Sequence, residues 1–237
     1  MFKHEPVQLV EMHAETTPTG RKYNTPDGKK YPSITTVLSI LSRDSIAKWR
    51  KRVGEEEAKR VSHRASTRGT AVHEICEKYV DNDPNYLKVM RDNGKGEMVL
   101  QDATPDLIAS FNDLKPILDE RLSLVYAQEA PLYSHHLGIA GRVDCVGIFD
   151  GKISIIDYKT SRKPKKASWI KSYFMQESAY AIMWEELTGM PITQLVTIVS
   201  VDGHKPQVFI EHRDNWTRPL IETIAQYNEE NDAITLM

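Results

Sequence analysis

Residues 154–161, SIIDYKTS, carry Asp157 and Lys159 one residue apart at the end of an apolar run. Asp144 lies in the preceding apolar segment, RVDCVGIF. Carboxylate oxygens are the ligands that Mg²⁺ and Mn²⁺ prefer, and a lysine ammonium stabilises negative charge that develops during a reaction. Strand ends also carry solvated charges that have no role, so the D-x-K spacing alone favours that simpler interpretation.

The dipeptide Asp150-Gly151 lies between two alternating apolar segments and predicts a two-residue β-hairpin. If Phe149 pairs with Lys152 at the turn, the pairs that follow on one side of the sheet are Ile148–Ile153, Val146–Ile155, Asp144–Asp157 and Arg142–Lys159. Opposed carboxylates raise each other's pKa unless a cation lies between them. The hairpin therefore predicts a divalent metal site, although one β-bulge would turn Asp144 to the other face.

Two helical segments offer further polar residues at one-turn spacing. RGTAVH places Gly69 and His73 on one side of a helix, and QESAY does the same for Gln176 and Tyr180. His73 is a candidate metal ligand, and Gly69 leaves room for a close backbone approach. A lone helical histidine and a polar–aromatic pair are also common on ordinary helix surfaces.

The composition is that of a globular protein. The chain has 237 residues, 40% of them hydrophobic, and a formal net charge of −2, so only a local basic patch could bind a polyanion. Cys76 and Cys145 are too few for a disulfide framework or a four-thiolate iron–sulfur cluster, and we expect reduced thiols. Neither a membrane-spanning run nor a targeting segment is visible, so we expect a cytoplasmic protein without a membrane partner.

The first half of the chain is predicted to be mainly helical. Residues up to about 30 have the turn chemistry of an extended or hairpin-like arm, and Ser33 is a plausible cap for the helices that follow. Breaks are expected near Gly54 and at residues 66–69. Residues 81–105 are expected to form a loop, and Pro116 to kink or end the next helix.

The second half is predicted to contain a sheet. LVYAQEAPLYS, GIAGRVDCVGIF, KISIIDYKT and QLVTIVSVD are rich in β-branched and aromatic residues and predict four strands. A helix closed by Gly189 precedes the last strand, and another helix follows it. We therefore expect an α/β fold, with an arm and helical region carrying His73 over residues 1–122 and the sheet core over 123–237, together forming one integrated domain.

Taken together, these residues resemble the PD-(D/E)xK nuclease superfamily in its RecB-like branch. That branch has the ordered pattern G-x-x-x-H, an acid, D, (D/E)-x-K and Q-x-x-x-Y, which this chain matches with Gly69, His73, Glu129, Asp144, Asp157, Lys159, Gln176 and Tyr180. YPSITTVL, AKWRKR, GRVDCVG and IIDYKTSRKPK are similar to the mitochondrial genome maintenance exonuclease group and its phage and bacterial relatives. RVD stands where the superfamily often has Pro-Asp, and the cysteines of its iron–sulfur branch are absent.

The resemblance implies a central mixed β-sheet flanked by helices, with a helical N-terminal half. It also implies a hydrolase that cleaves DNA phosphodiester bonds with Mg²⁺ or Mn²⁺ and without an iron–sulfur cluster. The implied enzyme is an exonuclease that prefers single-stranded DNA, acts in DNA replication, recombination or repair, and works in the cytoplasm of a bacterium or a phage-infected host cell.

The resemblance also assigns roles to individual residues. The implied roles are metal ligation by His73, Asp144, Asp157 and the carbonyl of Tyr158, an outer or second-metal position for Glu129, activation or positioning of water by Lys159, and bracing of the lysine and the substrate by Gln176 and Tyr180. A fixed ammonium and a cation stabilise the charge that develops on the phosphate.

Local basic clusters are expected to hold the substrate. Arg60, Arg64 and Arg68 recur every fourth residue and lead toward His73, which predicts a strand-guiding groove between the helical half and the sheet. The expected DNA contacts are Arg60, Arg64, Arg68, Arg142, Thr160, Ser161, Arg162, Lys163, Lys165 and Lys166. Trp169, Tyr173 and Phe174 could stack on bases, although burial in the core is the commoner fate of aromatic residues.

Three alternatives stay open at this point. The first is an endonuclease of the same superfamily acting on branched or duplex DNA, and the second is a DNA-binding protein whose nuclease site has decayed. The third is a zinc site formed by His73, Cys76, His135 and His136, whose spacing fits no common zinc site.

Overall fold

The computed structural model describes residues 1–235. The helices are α1 Ile34–Leu38, α2 Arg43–Val53, α3 Glu55–Val80, α4 Pro105–Arg121, α5 Lys171–Thr188 and α6 Asp214–Thr235. The strands are β1 Lys3–His4, β2 His13–Thr17, β3 Gly20–Asn24, β4 Lys30–Pro32, β5 Lys88–Asp92, β6 Met98–Asp102, β7 Leu122–Ser134, β8 Ile139–Phe149, β9 Lys152–Ser161, β10 Gln194–Val201 and β11 Gln207–His212.

A six-stranded mixed sheet forms the centre of the fold, in the order β1-β7-β8-β9-β10-β11. β1 and β7 run parallel, as do β9 and β10, and the other neighbouring strands are antiparallel. β10 is buried along almost its whole length because helices cover both faces of the sheet. The predicted α/β class, with a mixed sheet flanked by helices, is confirmed.

The helices form one layer on each face of the sheet. Ile75 of α3 and Phe111 of α4 lie in the same core as Ile156 of β9, whereas Trp184 of α5 lies in the core that contains Ile155. Neighbouring residues of β9 thus belong to opposite cores, because side chains alternate along a strand. α1 and α6 complete the layer that contains α5.

The N-terminal arm is attached to the central sheet. β1 pairs with β7, and β2, β3 and β4 form a separate three-stranded sheet. Ser33 caps α1, as predicted, because its Oγ accepts a hydrogen bond from the Thr36 N–H at 3.0 Å. The predicted boundary at residue 122 stays a prediction, and residues 236 and 237 of the predicted core segment lie outside the described residues.

The predicted break at residues 66–69 is wrong, the break at Gly54 is confirmed, and Pro116 does not end its helix. α3 runs without interruption through residues 66–69, because a helical glycine costs only about 1 kcal/mol and the helix has 26 residues. α4 continues past Pro116 and ends at Arg121. Proline removes one backbone donor, and the packing of this helix on the sheet holds it in place.

The predicted loop at residues 81–105 contains a β-hairpin. β5 and β6 pair in register from Lys88–Asp102 to Asp92–Met98. Val89 is the buried residue of β5, so little of this hairpin faces the core. The alternation of apolar and polar residues that predicts a strand is therefore weak in this segment. The edge strand β11 also lies outside the predicted strands. Within residues 1–235, no helix has the length and apolar character needed to cross a membrane.

Candidate active site

The hairpin formed by β8 and β9 follows the predicted register near its turn. Asp150 and Gly151 have φ values of +51° and +76°, as a two-residue primed turn requires. The pairs Phe149–Lys152, Ile148–Ile153 and Val146–Ile155 are confirmed. These pairs are mainly apolar, so this half of the hairpin is fixed by ordinary sheet packing.

The register prediction fails above this regular half. The described ladder between β8 and β9 ends at Cys145–Ile156, so the predicted pairs Asp144–Asp157 and Arg142–Lys159 do not form. The Tyr158 N–H instead donates to Asp144 Oδ2 at 2.9 Å. A side-chain carboxylate therefore accepts a bond that a backbone carbonyl of the neighbouring strand would otherwise accept.

The cause is a change of face in β7 and β8 at this level. Gln128 donates to the backbone of α3, and Cys145 lies in the core under α3. Ala130 and Val143, each two residues away, lie in the opposite core, although regular alternation would keep each pair on one face. Glu129 has a φ of +43°, which is unusual for a residue with a side chain. The irregular backbone turns the acidic residues between these positions toward α3.

The change of face brings together three possible metal ligands. One ligand atom from each of His73, Glu129 and Asp144 lies within 4.8 Å of the others, and His73 Nδ1 is 3.3 Å from Asp144 Oδ2. Burial, reinforced by the charge of Asp144, raises the pKa of Glu129 to about 7. Burial opposes ionisation of Asp144, but His73, Lys159 and the Tyr158 N–H together outweigh burial and lower the pKa of Asp144. An imidazole and two carboxylates form a donor set that suits a divalent cation.

The buried carboxylate of Asp157 forms an ion pair with the half-buried Lys159 beside this cluster. Burial, together with the charge of Asp144, raises the pKa of Asp157 to about 6, although Lys159 lowers it. Apart from the ion pair, neither carboxylate oxygen of Asp157 accepts a hydrogen bond from a described residue. Such orphaned oxygens also fit a bound cation. The metal-ligand set of His73, Asp144, Asp157 and Tyr158 stays a prediction.

α5 supplies the polar side chains on the other side of the site. Gln176 Nε2 donates to Tyr180 Oη at 3.2 Å, as the one-turn spacing predicts. Gly141 of β8 allows the Tyr180 ring to lie close to the sheet, since a Cβ at Gly141 would be 2.7 Å from Tyr180 Cε1. Glu177, which follows Gln176 on α5, is fully buried and accepts a hydrogen bond from the Thr197 hydroxyl. Burial raises the pKa of Glu177 well above its ordinary value, and the sequence offered no signal for this residue.

His73, Glu129, Asp144, Gln176 and Tyr180 line a cleft of about 590 Å³, here called the acidic cleft, whereas Asp157 and Lys159 are outside its described lining. Its lining includes Arg21, Tyr23, Ser33, Thr35, Thr70, His73, Glu74, Glu77, Glu129, Gly141, Arg142, Asp144, Gln176 and Tyr180. The contribution of the N-terminal arm was missed because no local pattern links it to the hairpin. Glu77 could have been found, since it lies one helical turn after His73.

Most of the predicted DNA contacts line a second cleft of about 1450 Å³, here called the basic cleft. Its lining includes Arg60, Arg64, Arg68, Thr160, Ser161, Arg162, Lys163 and Lys165. Arg142 lines the acidic cleft instead, where its guanidinium donates to the carbonyl of Glu129 and to Glu11. Lys166 lines neither cleft, and its Nζ lies 5.1 Å from the centre of the Trp169 ring.

The three candidate stacking residues differ in exposure. Phe174 is fully buried in the core, as the commoner interpretation predicts, whereas Trp169 is 66% exposed. Tyr173 is half-buried, and Lys159 Nζ lies 5.2 Å from the centre of its ring. Tyr173 therefore contacts the predicted catalytic lysine.

The histidines and cysteines of the zinc alternative do not form a group of three close ligands within residues 1–235. Cys76 is a buried free thiol, and His135 Nδ1 lies 2.9 Å from Tyr31 Oη.

A family model described as the PD-(D/E)XK nuclease superfamily matches residues 45–235. The chain belongs to this superfamily. Its members typically use divalent metals, which agrees with the donor set of the acidic cleft. Membership supports a hydrolase of the nuclease type.

Two individual proteins are similar to this member of the PD-(D/E)XK superfamily. The human protein named mitochondrial genome maintenance exonuclease 1 is 26% identical over 144 residues, which cover 56% of this chain and 38% of the human protein. The chain thus matches well under half the length of that relative. A crystal structure of a candidate exonuclease from Eubacterium rectale aligns over 66% of this chain and 63% of its own, with 14% identity and a TM-score of 0.39.

Proposed function

We propose that this chain is an exonuclease that hydrolyses DNA phosphodiester bonds with Mg²⁺ or Mn²⁺ and prefers single strands. The observation that carries the proposal is the juxtaposition of His73, Glu129 and Asp144 with the Asp157–Lys159 ion pair. The superfamily supports nuclease chemistry, and the name of the human relative supports exonucleolytic action on DNA. Replication, recombination or repair, in the cytoplasm of a bacterium or phage-infected cell, is the proposed setting.

A divalent cation held by His73, Glu129, Asp144 and Asp157, with the carbonyl of Tyr158 as a further proposed ligand, would polarise the phosphate and lower the pKa of water. Lys159 adds a fixed positive charge beside the reacting phosphate, where negative charge grows. Burial disfavours the charged form of Lys159, but Asp157 and Asp144 outweigh burial and raise its pKa. The lysine therefore stays protonated at neutral pH and positions water rather than accepting its proton.

The side chains around the pair keep it oriented. Lys159 Nζ lies over the ring of Tyr173, and Gln176 and Tyr180 form a hydrogen-bonded polar pair on α5. Arg142 holds the carbonyl of Glu129 and so orients a proposed ligand. Such fixed charges and dipoles stabilise a transition state without reorganising during the reaction.

A digestion panel tests the proposal. Linear and circular DNA, each single-stranded and double-stranded, are incubated with Mg²⁺, with Mn²⁺ or with EDTA. We expect metal-dependent loss of linear single-stranded DNA, with circular single strands left intact because they have no end. Cleavage of circles would show an endonuclease, and binding without cleavage would show a decayed site.

A further inference from the structure

α3 separates the two clefts. Successive helical residues are turned by about 100°, so His73 lies about 140° around the helix from Arg68. Thr70 and His73 accordingly line the acidic cleft, whereas Arg64 and Arg68 line the basic cleft. The arginine stripe predicted to lead toward His73 therefore faces away from it.

The basic cleft is rich in cations. Among the described residues, its lining carries seven lysine and arginine side chains against four carboxylates and no Phe, Tyr or Trp, and its one aromatic ring is the imidazole of His204. Stacking platforms for bases need aromatic side chains, whereas phosphates need only cations and hydrogen-bond donors. The lining thus suits the backbone of a nucleic acid rather than its bases.

Arg68 forms an ion pair with Asp202 in this cleft, and Arg64 and Arg162 line the same cleft. Arg68 donates to Asp202 Oδ2 at 2.8 Å, and its guanidinium also donates to Ser110. The pKa of Asp202 is lowered, first by the hydrogen bond from Arg68 and in smaller part by the charges of Arg162 and Arg64. Among the described residues, no carboxylate lies within ion-pair distance of Arg64 or Arg162.

Arg64 and Arg162 come from different elements and are both exposed. Arg64 lies on α3, and Arg162 follows the end of β9, three residues after Lys159. Two available guanidiniums from different elements that line one cleft can hold successive phosphates of a chain.

We propose that the basic cleft is a second nucleic-acid site, which binds phosphates of the substrate strand several nucleotides away from the bond that is cleaved. This inference rests on the proposed function. A strand that occupies both clefts must pass around α3, so the basic cleft adds affinity only for strands long enough to reach it. Short oligonucleotides occupy the acidic cleft alone.

The test compares the affinities of a long and a short oligothymidylate in EDTA, which prevents cleavage. The long strand has about 30 nucleotides and the short one about four, which bracket the roughly 4–16 nucleotides that a single-strand groove spans. Arg64→Glu and Arg162→Glu are the test variants. Lys152→Glu is the matched control, because it has the same change of charge on an exposed residue at the opposite end of β9.

We expect each test variant to weaken binding of the long strand about tenfold more than binding of the short strand. The slope of log Kd against log salt should fall by at least about 0.7, the value for one phosphate contact with single-stranded DNA. Lys152→Glu should leave the ratio between the two lengths unchanged. Equal losses for both lengths, or no loss for either, would overturn the second site.

Failure of the proposed function gives a different result. If the wild-type protein does not cleave DNA in the digestion panel, the nuclease proposal falls whatever the binding ratios are. If it cleaves DNA but the length ratio does not respond to Arg64→Glu and Arg162→Glu, only the second site falls.

Discussion

The two halves of the β8–β9 hairpin differ in what holds them. The turn half pairs Phe149 with Lys152 and Val146 with Ile155 in a regular ladder, and its apolar side chains are buried. The other half, here called the site half, carries the charged side chains of Asp144, Asp157 and Lys159 on an irregular part of the hairpin. Asp157, for example, is almost fully buried, and among residues 1–235 its carboxylate has only Lys159 as a partner.

The comparison shows how the fold maintains a costly site. Burying a carboxylate opposes ionisation, and crowding two of them adds repulsion, so the site half lowers the free energy of unfolding. The turn half contributes apolar burial and a favourable turn, and it fixes the strand positions from which the acidic residues project. Mutations in the two halves should therefore separate stability from activity.

The largest effect is expected from Phe149→Ala in the turn half. Removing this fully buried ring leaves a cavity and should lower the free energy of unfolding by about 3–5 kcal/mol. Denaturant unfolding measures the change. Activity per folded molecule should remain near that of the wild type, and a selective loss of kcat would contradict the separation.

Lys159→Ala in the site half should lower activity far more than it lowers the free energy of unfolding. Loss of the fixed charge should reduce kcat by about 10²–10³-fold with Mn²⁺ present, as for the loss of one transition-state donor. Gel-based cleavage of linear single-stranded DNA measures the rate, and a binding assay should show that the DNA is still held. Unchanged cleavage would refute the catalytic assignment of Lys159.

Glu129→Gln should stabilise the metal-free protein at pH 8. The pKa of Glu129 in the fold, about 7, exceeds the ordinary value of 4.5, so its favourable contribution is complete below pH 4.5 and is lost as the pH rises through 7. Replacing the charged form should raise the free energy of unfolding by about 1–2 kcal/mol, a value reduced for partial exposure.

Thermal unfolding in EDTA and with Mn²⁺ measures this effect. The wild type should gain more stability from Mn²⁺ at pH 8 than at pH 6, because Glu129 and Asp157 must lose their protons to bind a cation. In Glu129→Gln that gain should shrink. A variant that is less stable in EDTA, or an unaltered response to Mn²⁺, would argue against the ligand role.

The smallest effect is expected from Gly151→Ala at the turn. An added Cβ would meet no atom within 4 Å, so only the φ of +76° opposes the substitution. The cost should be about 1 kcal/mol, measured by denaturant unfolding, with unchanged cleavage. A much larger loss would mean that the turn also controls the register of the site half.

Local patterns in the sequence predicted the turn half well. The Asp150-Gly151 turn fixes its neighbours by a two-residue geometry, and the alternation of Ile153 and Ile155 fixes which side is buried. Gln176 and Tyr180 were paired correctly for the same reason, since one helical turn brings them together. Such features depend only on residues close along the chain.

Long-range packing decided the rest of the site. The change of face at Glu129 depends on how β7 and β8 meet α3, and no spacing along either strand encodes it. Arg142 donates to Glu11, more than a hundred residues away along the chain, and no spacing predicted that contact. The same limitation hid the hairpin of β5 and β6, of which only one side is buried.

By itself, the sequence determined which chemical groups this protein has and their order along the chain, because turns, caps and helical spacings are set by near neighbours. The tertiary structure decided which groups meet. It turned Glu129 and Asp144 toward His73 and left Arg64 on the far side of α3, because the direction of a side chain depends on every element packed around it.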